Sequence, residues 1–148
     1  MVDMALPTRL NVLLPYEQAG WQQTVSQLLE PQGVHTVSAR NGREALRMLE
    51  SGSVHVAVLD TEMPLLSGLQ VIRRMNDLAQ PPPAILLANR LTNHLLHEAL
   101  GMHVFSVLSK PVDLNLLLDA LARVMRRYYE SRWPANDKNN GNKDKDAH

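Results

Sequence analysis

A near-continuous apolar run, Val54-His55-Val56-Ala57-Val58-Leu59, ends in a carboxylate, Asp60, and Pro64 and Gly68 break the chain beyond it. A short apolar run rich in β-branched residues reads as a strand buried on both faces. Strands of that kind belong to parallel sheets covered by helices on either side. In an open α/β sheet, ligands and chemistry gather at the carboxyl ends of the strands, and Asp60 stands at such an end. An aspartate there is by itself commonly a helix cap or turn former, so the rest of the chain decides its meaning.

The flanking sequence repeats one rhythm. Leu10 to Leu14 is a short apolar run stopped by Pro15, a first strand. Trp21, Val25, Leu28 and Leu29 recur at helical spacing, the stripe of an amphipathic helix that Pro31 and Gly33 end. Val34 to Ala39 alternates as an edge strand does. Asn41 with Glu44 has the form of a capping box opening a helix over Ala45, Leu46 and Leu49. The Val54 to Leu59 strand follows. Ser67 is placed to cap a third helix carrying Leu69, Ile72 and Met75. Pro81-Pro82-Pro83 forces an extended entry into Ala84 to Ala88, a fourth strand. Thr92 to Leu100 predicts a helix ending at Gly101, and Val104 to Leu108 a fifth strand. Asp113 caps a last helix with the stripe Leu114, Leu117, Leu118, Leu121 and Met125. Strand and helix thus alternate five times, which implies α/β architecture with a parallel five-stranded sheet and right-handed crossovers.

Composition narrows the function classes. The 148 residues suit one domain. Lys+Arg and Asp+Glu are both 15, so no global field calls for nucleic acid or an anionic membrane surface. There is no cysteine, which removes disulfides and thiolate metal sites. No stretch has the pattern of a signal peptide or the length of a transmembrane span; the expectation is a cytoplasmic protein with no nucleic acid or membrane partner.

The spacing Asp60-x-x-Met63-Pro64-x-x-x-Gly68, with Lys110-Pro111 after the last strand, resembles the receiver (CheY-like) domain of two-component response regulators over residues 9–127. The resemblance implies a flavodoxin-like (βα)5 fold with strand order 2-1-3-4-5. It also implies phosphotransfer from the phosphohistidine of a histidine kinase to Asp60, with Lys110 as the conserved-type lysine partner and Mg2+ as cofactor. Such chemistry is chiefly positioning and charge neutralisation.

Several residues depart from that pattern. The family carries two acidic residues after the first strand; Pro15 and Tyr16 stand there, and neither suits Mg2+, which takes carboxylate oxygens in octahedral geometry. Glu17 and Glu62 are weak substitutes at best: Glu17 lies one position too far along, and Glu62 reads first as a solvated loop charge. Ala88 replaces the hydroxyl residue that holds a phosphoryl oxygen, and Val107 occupies the place of the switch aromatic, with Phe105 two residues earlier. The expectation is an atypical receiver, a pseudo-receiver that binds signalling partners through its α4-β5-α5 face, with Mg-dependent phosphorylation of Asp60 weak or absent. A homodimer is among the assemblies such a face allows. The alternatives are a functional single-domain response regulator and, more remotely, an aspartate-nucleophile phosphohydrolase, which would need an acid at Glu62.

The remaining signals are weaker. His94 and His97 are spaced to share a metal but lack a third ligand, and Arg73-Arg74 and Arg126-Arg127 are too short for a nucleic-acid footprint. Tyr128, Tyr129 and Trp133 either pack the end of the last helix or offer an aromatic patch. Residues 128–148 read as a polar, disordered tail without an output module.

Overall fold

The computed structural model describes residues 9–16 and 20–129. Five strands, β1 (Leu10–Pro15), β2 (Val34–Ala39), β3 (Val56–Asp60), β4 (Ala84–Ala88) and β5 (Ser106–Ser109), form one sheet in the order β2-β1-β3-β4-β5. Every pairing is parallel, as the alternation with helices requires. The helices are α1 (Trp21–Leu29), α2 (Gly42–Glu50), α3 (Gly68–Met75), α4 (Asn93–Gly101) and α5 (Leu114–Tyr129), with a 3-10 turn at Glu30–Gln32.

The sheet separates two cores. Along β3, Val56 and Val58 join Val25 and Leu29 of α1 and Leu117, Leu121 and Met125 of α5. The alternate residues, Ala57 and Leu59, join Leu46 and Leu49 of α2, Ile72 and Met75 of α3, and Ala99 of α4. The central strand is therefore apolar on both faces because helices cover both. Each fully buried aliphatic side chain contributes about 1.5–3 kcal/mol of transfer free energy. Asp60, next in the alternation after Val58, breaks this apolar sequence at the carboxyl edge.

Several element ends differ from the sequence expectation. β3 starts at Val56 rather than Val54, because the Asn11 N–H that would extend the ladder is taken by the His55 ring, Nδ1 at 2.9 Å. β5 starts at Ser106 rather than Val104. The N–H groups of His103 and Val104 turn back to the carbonyls of Leu100 and Ala99, closing α4 as a Schellman motif. His103, at φ 62°, takes the left-handed position there, not Gly101, which stays helical. In α1 the inward stripe is Gln22, Val25 and Leu29, and Leu28 is exposed. α5 buries Ala120 and Val124 alongside Leu117, Leu121 and Met125, leaving Leu114 and Leu118 partly buried.

The caps follow hydrogen-bond supply. Asn41 Oδ1 accepts from Glu44 N–H at 2.7 Å, but the Glu44 carboxylate accepts from Arg40 N–H, so the expected box is half made. The complete box is at α3, where Ser67 and Gln70 bond reciprocally. Thr92 and Asp113 accept from the first turns of α4 and α5. α5 runs through Tyr129, so Tyr128 and Tyr129 belong to the folded body rather than to a tail; the rest of the expected tail, with Trp133, lies outside the described residues.

Candidate functional site

Asp60 and Lys110 meet at the carboxyl edge of the sheet. Asp60 ends β3, and its backbone pairs in register with Leu87 of β4. Lys110 follows β5, its N–H donating to the Ala88 carbonyl at 2.8 Å, so the β4–β5 ladder carries it one residue beyond the strand. The side chains of Asp60 and Lys110 close across this edge: Nζ lies 2.6 Å from Asp60 Oδ2. The aspartate is 5% exposed. A pair this buried is costly to break from one side, because the remaining charge loses its compensation. The other oxygen, Oδ1, accepts the Glu62 N–H at 2.9 Å, the local turn bond that aspartate readily forms.

The loop from Thr61 to Ser67 is held close to this carboxylate by two glycines. A Cβ on Gly68 would meet the Asp60 carbonyl oxygen and lie 2.8 Å from the carbonyl carbon. A Cβ on Gly42, the first residue of α2, would meet the Leu66 carbonyl, and Gly42 N–H donates to Pro64 O at 3.0 Å. Met63 and Leu66 are buried in the α2/α3 core, while Leu65 between them is exposed with φ 71°. The loop is thus anchored by two apolar residues, Met63 and Leu66, and by two close backbone approaches, at Gly42 and Gly68.

The other expected positions fall around the same edge with different chemistry. Pro15 is the buried last residue of β1. Tyr16 donates its N–H to the Ala39 carbonyl, and its side chain is exposed. Glu17 lies outside the described residues. Glu62 contributes its backbone N–H to Asp60, and its residue is exposed. Ala88 ends β4 with its methyl buried. Among the described residues no group of three His, Cys, Asp or Glu is placed to hold a metal ion. His94 is exposed, 3.9 Å from Glu98, which pairs instead with Arg73 at 2.9 Å.

Val107 is paired with Leu86 and partly buried. It lines a groove of about 290 Å³ between α4 and β5 with Leu96, Ala99, Leu100 and Phe105. Phe105 packs edge-on against Tyr128, and the Arg123 guanidinium sits 5.6 Å from its ring centroid. The aromatic character of this face thus lies at its β5–α5 side, displaced from position 107.

Two features escaped the sequence. Gln22 joins Asp60 as a buried polar residue, and its Oε1 is buried without a hydrogen-bond partner among the described residues; a polar residue at an inward helix position gives no sequence sign of burial. Tyr129 donates its hydroxyl to the His55 carbonyl at 2.8 Å. The spacing Leu121, Met125, Tyr129 continues the α5 stripe and could have placed it inward.

Known proteins agree with this architecture. The response regulator receiver domain family matches residues 16–122. The chain is 28% identical over 130 residues to response regulator RR06 of Streptococcus pneumoniae, covering 86% of this chain and 59% of that protein. It is 32% identical over 120 residues to the positive alginate biosynthesis regulatory protein of Pseudomonas aeruginosa, covering 79% and 48%. The chain therefore spans about half the length of these relatives. The signal receiver domain of an HD domain-containing protein from Pseudomonas fluorescens superposes with TM-score 0.69 at 28% identity, over 80% of this chain and 96% of that one. With its parallel 2-1-3-4-5 sheet and a family match across most of its length, the chain belongs to the response regulator receiver domain family of two-component signalling.

Proposed function

We propose that this chain is an atypical receiver that works as a protein–protein interaction module, with Mg-dependent phosphorylation of Asp60 weak or absent. The carrying observation is the Asp60–Lys110 pair standing without carboxylates at Pro15 and Tyr16. A phosphoryl donor approaching Asp60 brings further negative charge to a buried carboxylate. One lysine offsets only part of that charge.

The described donors do not make up a set that suits Mg2+, which demands near-octahedral oxygen ligation. Asp60 has one oxygen on Lys110 and the other on the Glu62 N–H. Pro15 has no side-chain donor, and Tyr16 offers only a phenol. The methyl of Ala88 can accept or donate no hydrogen bond to a phosphoryl oxygen. The route by which phosphorylation would bias the α4-β5 surface is weakened at the same time.

The binding surface of this reading is the face formed by α4, β5 and α5. Leu96 and Leu100 on α4 and Tyr128 on α5 are exposed there beside the groove holding Phe105 and Val107. Exposed apolar and aromatic groups of this kind suit a signalling protein, a kinase or output protein, or a second copy of the chain.

A phosphorylatable receiver is the second reading, favoured by the intact Asp60–Lys110 pair. Incubation with a small phosphodonor and Mg2+, read by intact mass, separates the two. The proposal expects no stoichiometric phosphoryl adduct; a full adduct lost in Asp60→Asn would establish the second reading. Multiple turnovers on a phosphoester would instead indicate a phosphohydrolase.

A further inference from the structure

We propose that His55 is a proton-sensitive clasp joining the amino edge of the sheet to the last turn of α5. His55 sits just before β3, at the end of the sheet opposite Asp60. Hydrogen bonds to two described residues, Asn11 and Tyr129, converge on it. Its Nδ1 accepts the Asn11 backbone N–H at 2.9 Å. Its own N–H donates to the Asn11 carbonyl at 2.8 Å, and its carbonyl accepts the Tyr129 hydroxyl at 2.8 Å. The imidazole and the Tyr129 ring meet at 86°, centroids 5.5 Å apart.

The side-chain bond replaces a bond of the sheet. In a parallel ladder with His55 N–H on Asn11 O, the Asn11 N–H would go to the Ser53 carbonyl. Here that carbonyl is taken by the Asn11 side-chain amide at 2.9 Å, and the imidazole takes the freed N–H. The arrangement needs a lone pair on Nδ1. In the neutral ring the proton then resides on Nε2. An imidazolium carries N–H on both nitrogens and would direct a donor at a donor, so protonation and this hydrogen bond exclude each other.

Solvent reaches the node through a cavity of about 370 Å³ beside His55, between Gly52, residues 80–83 and α5. Among the described residues, the groups around it include Asn11 from β1, Ser53 from the preceding turn, Gln80 and the three prolines from the loop before β4, and the phenols of Tyr128 and Tyr129 from α5. Among the described residues lining the cavity, the titratable side chains are His55 itself and the phenols of Tyr128 and Tyr129. Protonation at Nδ1 is open to the ring only once it has left the Asn11 N–H. The open state binds one more proton than the closed state, so falling pH favours opening, with a limiting slope of about tenfold per pH unit. The device sits apart from the Asp60 site and does not depend on whether Asp60 is phosphorylated.

The test uses the full chain and NMR between about pH 7.5 and about pH 5, a window spanning the histidine range. At the upper pH the His55 ring nitrogens must report the Nε2–H tautomer; the Nδ1–H tautomer overturns the proposal. As the ring titrates, hydrogen-exchange protection at the Asn11 amide and in the last turn of α5 is expected to fall by at least about tenfold across the window, as proton linkage requires. In His55→Asn, whose Oδ1 can accept in place of Nδ1, that pH dependence should vanish. Tyr129→Phe should keep the Asn11 response and lose its transmission to α5. Titration of His55 with unchanged protection at Asn11, or the same pH profile in His55→Asn, overturns the assignment.

Discussion

Lys110 Nζ contacts Asp60 Oδ2 at 2.6 Å, and the Glu62 N–H occupies the aspartate's other oxygen. Replacing Lys110 by Met should therefore leave a buried carboxylate with one backbone donor. The expected cost is about 3 kcal/mol, the low end for breaking a buried pair, because the Lys110 side chain is 21% exposed. Denaturant unfolding measures it. The double variant Asp60→Leu with Lys110→Met should recover part of the loss; a cost equal to the sum of the single variants would show the two side chains act independently.

Gly68→Ala should destabilise by about 1–3 kcal/mol, the usual penalty of forced overpacking. Its Cβ would press on the Asp60 carbonyl, which belongs to a ladder strand and has little room to yield. Amide shifts at Asp60 and Leu87 should move with it. Unaltered stability would mean that the loop relaxes freely.

Leu65→Gly is expected to stabilise the fold by up to about 1 kcal/mol, since a leucine held in the left-handed region carries a steric penalty of about 1–2 kcal/mol. Leu65 is 68% exposed, so little packing is lost. A fall in Tm would show that the leucine makes a contribution its exposure does not reveal.

On α4, Leu100→Asp should change stability by no more than about 0.5 kcal/mol, because Leu100 is 73% exposed. Binding of a partner that uses the α4-β5-α5 face should fall at least tenfold, a loss of about 1.4 kcal/mol. Crosslinking or size-exclusion of the chain at rising concentration would show whether a second copy is that partner. Unchanged association would move the binding surface elsewhere.

Much of this molecule was legible because its signals are local. β2 and β4 coincide with their sequence spans, and Asn41, Ser67 and Asp113 cap the helices they were expected to cap. The pairing of Asp60 with Lys110, 50 residues apart, followed from two short motifs rather than from periodicity. What sequence reasoning missed depends on competition for hydrogen bonds. The Asn11 N–H goes to an imidazole, which trims β3, and His103 rather than Gly101 makes the left-handed turn after α4. Neither outcome is written in the residue types alone. Likewise Leu28 and Gln22 exchange their expected exposures because helix phase, not hydrophobicity, sets which side of α1 meets the sheet.

Restoring the missing groups should restore the chemistry. Pro15→Asp and Tyr16→Asp together with Ala88→Thr would supply two carboxylates and a hydroxyl at the edge where Asp60 and Lys110 already meet. Phosphoryl labelling by a small donor should rise at least tenfold over the parent chain, equivalent to about 1.4 kcal/mol of barrier, and should require Mg2+. Unchanged labelling would place the obstacle elsewhere, in the loop or in the closed Asp60–Lys110 pair.

The most direct test of the account is a titration of the full chain with Mg2+, then with Mg2+ and beryllofluoride, followed by amide NMR shifts. Beryllofluoride mimics an acyl phosphate on the aspartate and needs the metal to bind. The expected result, in a well-folded sample at millimolar metal, is no saturable shift at Asp60, Ala88 or Lys110 and none along β5. Saturable, metal-dependent shifts at those residues that spread to the α4-β5 surface would contradict it and make this chain a phosphorylatable switch.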